Sequence, residues 1–166
     1  NDMNINTTMS VGIIDNFDDL KVASDSILPH VRTDIVAYLK ESRSFSISRM
    51  SVNWFSNIGE DIYTKMSAGL LETMFGGYGA EILYRPFLSS WALGAEVFHV
   101  KQREYDLRFD FRDYETVTGF VNFYYKEPRS KIIASLKMGR FLAKDSGFNL
   151  DLARRFESGL RLGVFF

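Results

Sequence analysis

Two carboxylates, Glu81 and Glu96, have a spacing that could support acid–base chemistry. They lie in neighbouring predicted strands, and a turn near residues 88–89 would place them opposite each other across a hairpin. A carboxylate pair can act as acid and base in glycoside hydrolysis. Arg85 and the neighbouring strands could equally neutralise both groups. We therefore expect Glu81, Arg85 and Glu96 to be polar residues of one sheet face that do not catalyse a reaction.

Other residues give little support for catalysis or for a bound cofactor. The chain has no cysteine, which excludes disulfides, thiolate metal sites and cysteine nucleophiles, and its two histidines are His30 and His99. His99 could serve a hydrolase-like site together with a serine. No local motif supports that role, and we expect His99 to lie at the rim of the sheet. We predict no catalytic residue, no metal site and no cofactor.

The most distinctive polar segment is residues 101–115, in which basic, acidic and aromatic residues interleave. Aromatic rings can stack on the C–H groups of a sugar while guanidinium and carboxylate groups bond to its hydroxyls. The segment therefore predicts contact with a polysaccharide or a partner protein through Lys101, Arg103, Tyr105, Arg108, Arg112, Asp113 and Tyr114. The alternative is an ordered loop in which arginines and aspartates satisfy one another.

Strands must position these side chains, because apolar residues recur at every second position in most of the chain. Nine strands are predicted, at residues 3–13, 45–56, 62–71, 78–85, 91–100, 116–125, 131–140, 148–156 and 159–166. One face of the central strands is almost wholly apolar. The other face carries Arg49, Lys65, Glu81, Arg85, Glu96, Asn122 and Lys137.

Residues 29–41 break the alternation. Apolar residues recur there with helical spacing at Val31, Ile35, Tyr38 and Leu39, and Pro29 suits a first helical turn. The segment predicts one short amphipathic helix. Such a helix could lie on a membrane surface, plug a barrel, or pack over one end of a sheet.

The connections between predicted strands alternate strictly between short and long. The short ones are residues 57–61, 86–90, 126–130 and 157–158. Turns at one end, loops at the other and two unlike faces are typical of outer-membrane barrels, and an aromatic share of 15% suits their aromatic girdles. No run of about 20 apolar residues predicts a membrane-spanning helix, and a net charge of −1 gives no indication of nucleic-acid binding.

The pattern as a whole predicts the all-β class, as an antiparallel up-and-down transmembrane β-barrel. We expect a single barrel domain over residues 1–166. Because the strand count is odd and the alternation runs to the last residue, we favour a partial barrel or fragment of about 8–10 strands.

Several sequence blocks resemble one known family. They are residues 75–87 (FGGYGAEILYRPF), 91–96 (WALGAE), 100–106 (VKQREYD), 111–119 (FRDYETVTG), and 150–156 with 159–163. Over roughly residues 28–164 the chain resembles the YjbH/GfcD family. That family comprises outer-membrane β-barrel proteins of Gram-negative bacteria, encoded with exopolysaccharide or capsule secretion genes, and some members are described as lipoproteins. Its members are much longer than this chain.

The resemblance implies an outer-membrane protein that assists exopolysaccharide or capsule export or assembly without being an enzyme. The implied partners are outer-membrane lipid and either polysaccharide or proteins of the secretion machinery, and not nucleic acid. Glu81, Arg85 and Glu96 would then face the lumen of the barrel. The residues leave two alternatives open, an outer-membrane enzyme acting on lipid or glycan and a soluble periplasmic β-sheet binding module.

Overall fold

A computed structural model describes residues 2–20, 27 and 29–166. Within these residues the chain forms one antiparallel sheet of nine strands, in which each strand pairs with its neighbours in sequence from β1 to β9. The strands are β1 (Asp2–Val11), β2 (Phe45–Ile58), β3 (Ile62–Leu70), β4 (Phe75–Tyr84), β5 (Trp91–Arg103), β6 (Phe111–Lys126), β7 (Ile132–Arg140), β8 (Ser146–Arg155) and β9 (Arg161–Phe165). The predicted all-β class, the up-and-down order and the number of strands are confirmed.

The sheet is open, which differs from the predicted barrel. Its edges are β1 and β9, and no hydrogen bonds join them among the described residues. A barrel closes only when the first and last strands share a ladder of hydrogen bonds. The structure therefore shows a two-edged antiparallel sheet, and the membrane-spanning barrel belongs to the proposal below.

The two faces of the sheet differ as the alternation predicts. The cross-strand row Trp54, Met66, Ala80 and Val97 lies on one face, and the neighbouring row Asn53, Ser67, Gly79 and Phe98 lies on the other. We call these the apolar face and the polar face. Exposed side chains of the apolar face include Trp54, Met66, Ile82, Leu93, Val97, Val121, Phe123 and Met138, whereas Ser51, Asn53, Ser67, Thr118 and Asn122 of the polar face are buried. A sheet of a water-soluble protein has the reverse arrangement.

The prediction that short and long connections alternate strictly is wrong. The connection of residues 71–74 is shorter than that of residues 85–90, and every connection from β2 onward has at most seven residues, as in 104–110. The strands explain the difference, because β5 continues to Arg103 and β6 begins at Phe111. These strand ends carry polar residues on both faces, so hydrophobic alternation does not reveal them.

The described residues of the connection between β1 and β2 include two short helices. They are a 3-10 helix, Phe17–Asp19, and one α-helix, α1 (Ile35–Glu41), which is shorter than the predicted helix at residues 29–41. Tyr38 of α1 is buried in an apolar cluster with Met74, Phe75, Val100 and Leu107, where the polar face meets the connections 71–74 and 104–110. Of the three predicted placements, the structure has the helix packed over one end of the sheet.

None of the helices in the described ranges combines the length and the apolar character needed to cross a membrane.

Candidate functional site

Arg103 lies at the centre of what we call the loop end, the sheet end that carries α1 and the connections 71–74, 104–110 and 141–145. Its side chain is fully buried. The guanidinium donates hydrogen bonds to the carbonyl oxygens of Glu72 (3.3 Å), Thr73 (2.9 Å), Leu107 (2.7 Å) and Arg108 (2.9 Å). Arg103 thus ties two connections together and lies inside the protein, away from the surface on which the sequence prediction placed it.

Two tyrosines dock α1 onto the loop end. The Tyr38 hydroxyl donates to the carbonyl oxygen of Arg103 at 2.7 Å, and the Tyr105 hydroxyl donates to a carboxylate oxygen of Asp34 at 2.9 Å. The two rings meet edge to face with centroids 4.9 Å apart. Burial and then the Asp34 carboxylate raise the pKa of Tyr105 to about 12. The guanidinium of Arg112 covers the Tyr105 ring at 4.1 Å, so Tyr105 is a structural contact of the helix.

Tyr114 holds the third connection of the loop end. Its hydroxyl donates to the carbonyl oxygen of Leu142 at 2.6 Å, and the Lys144 ammonium lies 5.1 Å from its ring centroid. Tyr114 also packs against the apolar cluster. Like Tyr105, it is engaged with the chain itself.

The remaining predicted contact residues differ in how much of the side chain solvent can reach. Arg108 and Asp113 are exposed, whereas Lys101 and Arg112 are half-buried. Arg108 is 60% exposed and lies 3.7 Å from the carboxylate of Asp106. The structure therefore brings the predicted residues to one end of the sheet but leaves only some of them available to a ligand, and their contact with polysaccharide stays a prediction.

A row of charged side chains crosses the middle of the polar face. Glu81 and Glu96 are directly opposite each other in β4 and β5, as predicted. Lys65 donates to Glu81 at 2.6 Å, and Lys137 forms an ion pair with Glu96. Arg85 lies beyond the end of β4 and takes no part in these pairs, so lysines and not Arg85 neutralise the two carboxylates. Each glutamate thus has a cationic partner on the side away from the other.

His99 lies on the apolar face, within β5. Its ring stacks on that of Tyr78, with centroids 5.5 Å apart and planes 27° apart. Within the described residues no serine or carboxylate is hydrogen-bonded to it. The geometry does not support the hypothesis that His99 serves a serine-hydrolase site.

Basic residues gather at the opposite end of the polar face, which we call the turn end. An open cleft of about 920 Å³ there is lined by Arg85, Lys126, Lys131 and Arg155. We call it the cationic cleft. The Lys131 ammonium pairs with Glu157, which also lines the cleft, at 3.0 Å.

Of these basic residues, the sequence prediction had singled out only Arg85. A signal was present, because a basic residue begins or ends the connections 85–90 and 127–131, and others stand beside them at the ends of strands. These positions indicate a basic cluster only once it is known that the connections meet at one end of the sheet.

Comparisons with known proteins agree on one family. A family model described as "Exopolysaccharide biosynthesis protein YbjH" matches residues 1–166. The chain is 37% identical over 155 residues to an uncharacterized lipoprotein, YjbH, of Escherichia coli (strain K12). That alignment covers 91% of this chain and 22% of the relative, so the chain spans about a fifth of the relative's length. No solved structure matches the chain.

Proposed function

The chain belongs to the YjbH exopolysaccharide biosynthesis family, and we propose that it forms part of the wall of a β-barrel in the bacterial outer membrane. In this role it assists exopolysaccharide export or assembly and performs no chemical step. The supporting observation is the inverted sheet, whose apolar face is exposed while the polar residues of its other face are buried.

The apolar face has the properties of a lipid-contacting surface. Large exposed apolar side chains occur on this face in each strand from β2 to β7, and a contiguous exposed apolar surface of this kind marks a site of membrane or protein contact. Aromatic residues gather towards its turn end, where Tyr84 contacts Trp91 at 5.8 Å and Tyr125 lies opposite Trp91. Aromatic side chains at one level of a barrel match a girdle at the membrane interface.

The polar face suits a watery lumen. Charges within a sheet cost several kcal/mol in an apolar core but little beside water. The row formed by Lys65, Glu81, Glu96 and Lys137 extends across this face from β3 to β7. Its charges can exchange hydrogen bonds with sugar hydroxyls, so a polymer can pass along this face without any bond being made or broken.

Two adjacent residues of β6 provide a sharp test. Phe123 lies on the apolar face and Tyr124 on the polar face, and both side chains are 42% exposed. The 166 residues contain no cysteine, so this part of the chain adds no background to thiol labelling. In outer-membrane vesicles we expect a membrane-impermeant polar maleimide to label Tyr124→Cys and to spare Phe123→Cys, because lipid shields the latter.

Denaturation of the same vesicles should make both cysteines reactive, which controls for thiol chemistry. Equal labelling in intact vesicles would refute the lipid-facing assignment, because two equally exposed positions would then both face water.

The export role needs its own measurement. Cells that lack the protein should release less exopolysaccharide, measured as total sugar in the medium, and the unaltered gene should restore the amount. Replacement of both Arg108 and Arg112 by serine tests the loop end. Normal export by this variant, with normal amounts of folded protein, would remove the loop end from the proposal.

A further inference from the structure

We propose that the cationic cleft at the turn end binds a carboxylate-bearing sugar residue of the polymer. This inference rests on the proposed function, because it assumes that the polar face meets a polysaccharide. It names a second contact point, at the end of the sheet opposite to residues 101–115.

The charge of the cleft is unbalanced. Arg85, Lys126, Lys131 and Arg155 line it together with one carboxylate, Glu157. That carboxylate is paired with Lys131 at 3.0 Å. In the described part of the chain, the side chains of Arg85, Lys126 and Arg155 have no acidic partner within 4 Å. Three cations thus face the same space with nothing to neutralise them.

Beside the cleft, one of its lining arginines faces a second arginine, Arg161, which does not itself line the cleft. Arg155 and Arg161 are directly opposite each other in the ladder. Like charges opposite each other destabilise a strand pair, and an anion between them removes that cost. Guanidinium groups also match a planar carboxylate with two parallel hydrogen bonds. The arrangement therefore favours an anion with carboxylate geometry.

The other walls of the cleft suit a sugar ring. Tyr124 and Phe156 line it and offer aromatic surface for stacking on C–H groups. The volume of about 920 Å³ lies within the range of ligand pockets. Leu83, Ala92 and Tyr124 of the lining belong to the polar face by register, and Trp91 and Tyr125 belong to the apolar face, so the cleft lies at the margin between the two faces. Aromatic rings beside unpaired cations fit an acidic sugar residue, and the phosphate probe below tests the lipid-headgroup alternative.

Binding can be tested with a matched pair of oligosaccharides. The first probe is trigalacturonate, and the second is the same trimer with its carboxylates reduced to primary alcohols. The binding is measured by isothermal titration calorimetry on the full-length protein, purified in detergent. The acidic trimer should bind at least about tenfold more tightly than the reduced trimer. The affinity should fall as ionic strength rises, because salt screens exposed charges. Inorganic phosphate serves as a third probe and should bind far more weakly.

Substitutions then locate the site. Arg85→Gln and Arg155→Gln should each weaken trigalacturonate binding by about tenfold, which corresponds to one charge-assisted contact. Arg129→Gln is the matched control. It removes a positive charge from the same end of the sheet, but Arg129 does not line the cleft, and we expect less than about a twofold change.

Three results would overturn the proposal, namely equal affinity for the two trimers, tight binding of phosphate alone, or an Arg129→Gln effect as large as the others. The comparison of trimers uses unaltered protein, so it holds even if a variant fails to fold. If the cysteine labelling of β6 succeeds and the acidic trimer does not bind, this inference fails while the proposed barrel wall stands.

Discussion

Replacing Arg103 with methionine removes a buried cation that binds four carbonyl oxygens across two connections. Three of the four hydrogen bonds are 2.9 Å or shorter. The side chain is 0% exposed, so water cannot replace the lost donors without opening the loop end. Methionine fills part of the volume but donates no hydrogen bond.

The size of the effect follows from these contacts. A hydrogen bond to a charged group contributes about 1.5–3 kcal/mol, and a buried carbonyl left without a partner costs about 1–3 kcal/mol. Removing the charge also removes its desolvation cost, which offsets part of the loss. We therefore expect Arg103→Met to lower the free energy of unfolding by about 3–5 kcal/mol. Arg103→Lys should recover only part of this, because one ammonium cannot span both connections.

Urea unfolding of the detergent-purified protein, followed by tryptophan fluorescence, measures this difference. Arg108→Met is the matched control, because Arg108 offers only its backbone carbonyl to the network and its side chain is exposed. The control should stay within about 0.5 kcal/mol of the unaltered protein. If Arg103→Met proves as stable as Arg108→Met, then the network does not hold the loop end together and our account of it is wrong.

Three further perturbations test other parts of the structure. Tyr105→Phe loses the hydrogen bond to Asp34, so amide exchange in α1 should become faster. Because the pKa of Tyr105 is raised from 10.0 to about 12 in the folded state, the unfolded state loses this proton first as pH rises. Between pH 10 and about 12, stability should therefore fall more steeply in the unaltered protein than in Tyr105→Phe, as followed by urea unfolding at each pH. Lys65→Met removes the cationic partner of Glu81 and leaves that carboxylate opposite Glu96. The free energy of unfolding in urea should fall by up to about 1 kcal/mol, and by less at high salt. Adding Glu81→Gln to this variant should restore most of the lost stability. Gly79→Ala would place a methyl group against the Phe98 ring and the backbone oxygen of Val97 in β5, closer than such atoms can approach, and should lower the yield of folded protein on unheated gels.

The strands and their faces could be predicted because hydrophobic alternation is a local signal. The predicted polar-face residues that lie within β3 to β7 are all on that face by register, namely Lys65, Glu81, Glu96, Asn122 and Lys137. Glu81 and Glu96 were expected opposite each other for the same reason, since the turn between β4 and β5 fixes the pairing. Lys65 lies directly opposite Glu81 on the neighbouring strand β3, so this pair follows from the register. Lys137 lies on β7, two strands away from Glu96, and its side chain reaches Glu96 across β6.

The role of Arg103 could not be predicted, because its partners are backbone carbonyls. Every residue has a carbonyl, so no sequence pattern marks the four that converge on one guanidinium. The interleaved charged and aromatic residues of 101–115 instead suggested that Arg103 contacts a ligand. What decides between the two roles is burial, and burial depends on α1 folding over the loop end from far away in the sequence. Alternation within a strand also does not determine whether the sheet closes, because closure depends on pairing between its two edge strands, which are distant in the sequence.

The two ends of the polar face have different access, and this bears on how a polymer could use it. At the loop end, α1 and the apolar cluster around Tyr38 and Phe75 lie across the face and are tied to Arg103. At the turn end the cationic cleft is open. If the polar face lines a lumen, an acidic polymer entering from the turn end meets unpaired cations first, then the charge row of Lys65 and Glu81, whose charges are already balanced. Attraction is thus strongest at the entrance and weaker further in, which lets a chain be captured without being held along its length.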